Sequence, residues 1–109
     1  MIYQLRTYWA TPGRFADIDS RFRNLTMRLF ARHGMQVVGF WTPEPRTEET
    51  GDLVYVLAFA DQAACDAAWA AFRADPEWQA GRDATEANGP IVAKVVSVMM
   101  KATDYASAR

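Results

Sequence analysis

Residues 53–60 read Leu-Val-Tyr-Val-Leu-Ala-Phe-Ala, apolar at every position. A strand made from them presents Leu53, Tyr55, Leu57 and Phe59 on one face and Val54, Val56, Ala58 and Ala60 on the other. Both faces then require cover. Residues 91–100 are nearly as apolar, with Lys94 and Ser97 the clear exceptions. A chain of 109 residues has room for one core. The helices it can form cover one face of a four-stranded antiparallel sheet and leave the other open. A second copy of the same sheet, related by twofold symmetry, is the simplest cover, so the expectation is a homodimer.

The other segments supply the elements that such a sheet needs. Residues 2–9 alternate, with Tyr3, Leu5, Thr7 and Trp9 on one side and Ile2, Gln4, Arg6 and Tyr8 on the other, which predicts a strand ended by Thr11-Pro12-Gly13. Phe15, Ile18, Phe22, Leu25 and Leu29 recur at helical spacing, which predicts one long amphipathic helix over 14–33, stopped by Gly34. Residues 35–42 and 53–60 predict two strands joined by a loop rich in proline and charge. Asp61 is placed to cap a helix over 62–74, and Asp75 with Pro76 to start a short one running to about residue 87. Asn88-Gly89-Pro90 breaks it before a last strand over 91–101. The fold class predicted is α+β, a ferredoxin-like βαββαβ domain over 1–101 followed by a tail, 102–109.

Composition narrows the functional classes. The net charge of -1 offers no general attraction to polyanions or anionic bilayers, which argues against nucleic acid and membrane partners. No apolar run approaches the roughly 18 residues of a membrane span. Cys65 is alone and so forms no intrachain disulfide, and no basic stretch followed by an apolar run opens the sequence; a reducing, cytoplasmic setting is expected. One histidine and one cysteine are too few for a zinc site, and no glycine-rich phosphate loop is present. Arg14, Arg21, Arg28 and Arg32 are expected to form a solvated stripe on the long helix.

Several separate motifs, in order, carry a family resemblance. They are Tyr3-Gln4-Leu5-Arg6-Thr7-Tyr8 with Pro12-Gly13, Leu29-Phe30 to His33-Gly34-Met35, Val38-Gly39-Phe40-Trp41-Thr42, Leu53-Val54-Tyr55 and Asp75-Pro76-Glu77-Trp78-Gln79. Together they resemble the NIPSNAP family of the dimeric α/β-barrel superfamily. Gln4 stands where the first-strand motif usually carries an acidic residue. The resemblance implies a ferredoxin-like subunit, a homodimer and, from distant superfamily members, a cleft between helices and sheet. Those members include cofactor-independent monooxygenases, haem-degrading and haem-dependent enzymes, and isomerases or cyclases of small organic molecules. Fold alone does not choose among them.

Two residues are the candidate catalytic groups. Arg6 lies within a strand on a face that must be covered, and a covered guanidinium needs a partner, either a carboxylate of the protein or an anionic ligand such as a carboxylate, enolate or phenolate. His33 ends the long helix on its apolar stripe, where it can cap carbonyls, shuttle a proton or act as an axial haem ligand. Tyr8, Trp41 and Tyr55 are the candidate ligand-binding aromatics. No metal site is expected, and no cofactor, with haem on His33 as the alternative. The leading expectation is a homodimer that binds or transforms a small apolar or aromatic molecule, as a cofactor-independent oxygenase or isomerase if it is an enzyme. The rival is a non-catalytic dimeric interaction module.

Overall fold

The computed structural model describes residues 1–106. Its elements run β1 (Ile2–Ala10), α1 (Phe15–Arg21), a π-helical turn (Phe22–Thr26), α2 (Met27–Arg32), β2 (Gln36–Trp41), β3 (Leu53–Phe59), α3 (Gln62–Ala74), α4 (Pro76–Thr85) and β4 (Val92–Met100). The four strands are antiparallel in the order β2-β3-β1-β4, the ferredoxin-like topology. Local chemistry sets the boundaries much as the sequence predicts. The Asp61 carboxylate accepts the Ala64 amide at 2.8 Å, and that of Asp75 accepts the Glu77 amide at 2.9 Å, ahead of Pro76 in the first turn. Gly34 takes φ +68° after α2, a conformation that side chains resist. The tail forms a small bridge between Thr103 and Ala106; its last three residues lie outside the described residues.

The predicted long helix is interrupted by the π turn. Its buried positions, Ile18, Arg21, Phe22, Thr26, Leu29 and Phe30, still fall on one face at helical spacing. The π turn over Phe22–Thr26 is a local widening within an otherwise α-helical stretch. The arginine stripe is a solvated face only in part: Arg28 and Arg32 are exposed, whereas Arg21 is buried. It is the strip on which α4 docks: Arg21 meets Glu86 at 3.0 Å, Arg32 meets Asp75 at 3.0 Å and Glu77 at 2.8 Å, and Arg28 also pairs with Glu77. Arg21 is buried outright, its guanidinium 5.0 Å from the Trp78 ring. Gly81 permits this approach, because a Cβ there would sit 2.3 Å from Leu25 Cδ2 in the π turn.

Ladder partners share a face, so the register sorts the sheet. Gln4, Arg6, Tyr8, Leu53, Tyr55, Leu57, Val37 and Phe40 point toward the helices. Ile18, Leu29, Phe30, Phe72 and Trp69 close over them as the core. Leu5, Val54, Val56, Val96 and Val98 point the other way, with Val96 38% and Val98 45% exposed. The helices do not cover β4 on their own side either: Val95 and Met99 are each 39% exposed.

Candidate functional site

Strand periodicity places Gln4, Arg6 and Tyr8 in a row beneath the helices, with Tyr55 opposite Arg6 on β3. The Arg6 guanidinium donates from Nε to the Tyr55 hydroxyl at 2.8 Å and from Nη2 to that of Tyr8 at 3.1 Å. The two hydroxyls lie 3.1 Å apart, and the guanidinium carbon sits 4.5 Å from the Trp69 ring centroid. Burial pushes the Tyr55 phenol well above its ordinary pKa, with Tyr8 adding to the rise and Arg6 opposing it. Burial acts to lower the Arg6 pKa, but the Tyr55 and Tyr8 oxygens outweigh it and the net shift is upward. Arg6 is therefore hydrogen-bonded by neutral phenols and stacked on an indole. Among the described residues no carboxylate pairs with it.

Gln4 fixes the floor beside this group. Its Oε1 accepts from the Trp69 indole at 2.6 Å and from the buried Cys65 thiol at 3.8 Å, while Nε2 donates to the Ser97 hydroxyl at 2.9 Å. Burial raises the Cys65 pKa, which suits a packed thiol rather than a nucleophile.

Above Arg6 opens a cavity of about 230 Å³. Arg6 and Tyr8 come from the sheet, Phe22 and Thr26 from the π turn, Trp69 from α3 and Trp78 from α4. Arg21, Arg73 and Arg82 complete its positive lining, which contains no carboxylate and no imidazole. Two atoms of these lining residues, Arg21 Nε and Thr26 Oγ1, are buried in the packing with no hydrogen-bond partner among the described residues. Arg21 Nη1 donates to Glu86 at 3.0 Å and to the Thr85 hydroxyl at 3.2 Å.

The structure brings together Arg6, Tyr8 and Tyr55 but not the other two candidates. Tyr55 is fully buried and supports Arg6 from below without lining the cavity. Trp41 lies on the opposite face of the sheet, 53% exposed and folded over Gly39. A bulge between Val37 and Gly39 reverses the parity of β2, and without it Trp41 would share the face of Val37. His33 caps the end of α2 and places Nε2 2.8 Å from Asp75 Oδ2, outside the lining of the Arg6 cavity. Its neighbourhood is an ion-pair cluster joining α2 to the start of α4. Arg21 and Thr26 also line the cavity and are not candidates from sequence. Among the described residues no group of three or more His, Cys, Asp or Glu side chains is assembled for a metal. No helix among them is long and apolar enough to cross a membrane.

The four-stranded antiparallel sheet and the cleft beneath its first helix define a ferredoxin-like α+β domain. Within that class the chain belongs to the NIPSNAP family, whose model matches residues 3–107. A NIPSNAP domain protein from Burkholderia xenovorans superposes with a TM-score of 0.82 at 21% identity, covering 98% of this chain and 99% of the other. A NIPSNAP family protein from Agrobacterium tumefaciens gives 0.84 at 14% identity, covering 99% and 98%. An antibiotic biosynthesis monooxygenase gives 0.65 at 14% identity, covering 94% and 99%. No protein of curated function matches the chain.

Proposed function

We propose that this protein is a homodimeric, cytoplasmic small-molecule binder whose ligand is a compact aromatic anion seated on Arg6. The observation that carries the reading is the half-buried guanidinium at the base of an aromatic cavity, partnered by neutral hydroxyls rather than by a carboxylate. A desolvated cation of this kind interacts strongly with an incoming carboxylate, enolate or phenolate oxygen. Phe22, Trp69 and Trp78 supply the flat walls.

The lining holds cations, a phenol and a hydroxyl, but no carboxylate or imidazole to act as general base. If the site is catalytic, its substrate arrives already ionised and the reaction is of the cofactor-independent oxygenase or isomerase type, with Arg6 stabilising the anion. The monooxygenase among the structural neighbours is consistent with that extension at the level of fold. His33 has no part in this scheme, and its Nε2 is engaged by Asp75, so neither a proton-shuttle role beside Arg6 nor a haem-ligand role draws support from the geometry. The open apolar face of Leu5, Val54, Val56, Val96 and Val98 is the surface on which a second copy would pack, sheet to sheet.

The test is native mass spectrometry of the protein as purified, followed by calorimetric titration with benzoate and phenol. A bound aromatic acid, or benzoate binding that Arg6→Met abolishes, supports the reading. An empty protein that binds neither compound leaves the non-catalytic interaction module as the better account.

A further inference from the structure

We infer that Phe22 sets the size of the ligand: its ring is the partition between the Arg6 cavity and an apolar groove beside it, so the site takes a single ring and rejects one that carries an alkyl group on that side. The inference rests on the anion-binding reading above and names the residue that limits what Arg6 can hold. The groove, about 310 Å³, is lined by Asp19, Phe22, Arg23, Met27, Phe40 and Leu53. Phe22 is the one residue that its lining shares with that of the cavity.

The sheet register makes the two spaces neighbours. Tyr8, in the cavity, is the ladder partner of Leu53, in the groove, while Phe40, also in the groove, is the partner of Tyr55. The helix-facing side of β1, β3 and β2 is thus one floor running under both. Phe22 packs onto that floor where they meet. Its ring centroid lies 5.5 Å from that of Tyr8, 5.4 Å from that of Tyr55 and 5.4 Å from that of Phe40, edge-to-face in each case. Aromatic rings favour this arrangement, and with Phe22 buried it holds the partition in place.

Space and polarity define what each side accepts. The cavity, about 230 Å³, lies below the range of roughly 300–1,000 Å³ common for drug-sized ligands, which matches one ring; joined to the groove it would fall inside that range. The two charged residues of the groove, Asp19 and Arg23, pair with each other at 3.1 Å. Met27, Phe40 and Leu53 are left to offer apolar surface, with Met27 38% exposed. The groove therefore suits an alkyl group and not a second charge. A single methylene in an apolar pocket changes discrimination by roughly 10- to 200-fold, so one side chain at this boundary is enough to select the ligand.

Calorimetric titration of the parent and of Phe22→Leu with benzoate, 3-propylbenzoate, 4-propylbenzoate and 3,5-dipropylbenzoate decides the matter. Measured against benzoate in the same protein, at least one propyl compound is expected to gain about ten-fold in Phe22→Leu over its standing in the parent. Because each protein is its own reference, a lower melting temperature in the variant does not enter the ratio. Adding Met27→Glu to Phe22→Leu should remove the gain and leave benzoate binding as it was, since the alkyl group then meets a carboxylate in the groove. The parent supplies a reading that needs no variant to fold: 3,5-dipropylbenzoate, which brings two chains into a space of about 230 Å³, should bind about ten-fold or more weakly than benzoate. Equal propyl-to-benzoate ratios in parent and Phe22→Leu would overturn the partition while leaving the Arg6 site in place. So would a gain that survives Met27→Glu, or a parent that binds 3,5-dipropylbenzoate as tightly as benzoate. Failure of all four compounds to bind either protein would overturn both readings.

Discussion

Arg6 and Tyr55 face each other across the β1–β3 ladder, and the 2.8 Å bond between them joins a permanent cation to a phenol that burial keeps neutral. The bond satisfies the donor without neutralising its charge. An arginine paired to a buried carboxylate would be part of the scaffold, whereas this one remains electrostatically unfulfilled until an anion arrives.

Arg6→Met is therefore expected to fold and to keep its stability within about 1 kcal/mol, since methionine fills a similar volume, no acid is stranded and Tyr8 still bonds Tyr55 at 3.1 Å. It should lose the binding of aromatic acids and phenols that the parent retains. Urea unfolding of both proteins, with and without benzoate, measures the two effects. A loss of about 3 kcal/mol or more with no ligand effect in the parent would return Arg6 to a structural role.

The open sheet face makes a separate prediction. Val98 lies opposite Leu5 on that face and is 45% exposed in the single chain. Sedimentation should show twice the 12.3 kDa mass of the chain at low micromolar concentration. Val98→Lys should lower that mass toward the monomer and destabilise the fold at the same time, because assembly and stability are linked by mass action. A parent that sediments as a monomer at that concentration sinks the dimer.

What could be read from the sequence divides along physical lines. Asp61, Asp75 with Pro76, and Gly34 act on backbone within a few residues, so the caps and stops were legible. The period-two pattern likewise puts Gln4, Arg6 and Tyr8 on one face, but does not say which cover that face receives; the packing of the helices decides it. The β2 bulge was not legible, and it moved Trp41 to the other face. Arg21 looks solvated from sequence because its partners, Trp78 and Glu86, come from a segment distant along the chain. The π turn hid for a related reason: its apolar neighbours Phe22, Leu25 and Leu29 still satisfy a helical pattern.

Hemin supplies a check on the alternative reading of His33. Because Nε2 already bonds Asp75, which also accepts from Arg32 and the Glu77 amide, ligation through that nitrogen would have to break into this cluster. Purified protein mixed with hemin is expected to show no sharp shifted Soret band that His33→Ala removes. A stoichiometric complex lost in that variant would reverse the preference for a cofactor-free site.

The same cluster should control stability in acid. The His33 hydrogen bond, then the Glu77 amide and Arg32, hold the Asp75 carboxyl down to about 2, against the opposing pull of burial. An unfolded aspartate titrates near 3.9, so as pH falls the unfolded chain takes up this proton before the folded one does. The stabilisation is fully present above about pH 4 and is lost progressively as pH drops through about 2. Glu77 is shifted downward too, by Arg28 first and Arg32 second, and acts in the same direction. The urea midpoint of the parent should therefore fall steeply between pH 4 and pH 2, and that of Asp75→Asn less steeply, its remaining slope including the part owed to Glu77. Asp75→Asn should also be less stable than the parent at pH 7, where the ionised carboxylate otherwise meets Arg32 and caps α4. Parallel acid profiles for the two proteins would mean that the Asp75 carboxylate is not held in this cluster in solution, and the junction between α2 and α4 would then need another explanation.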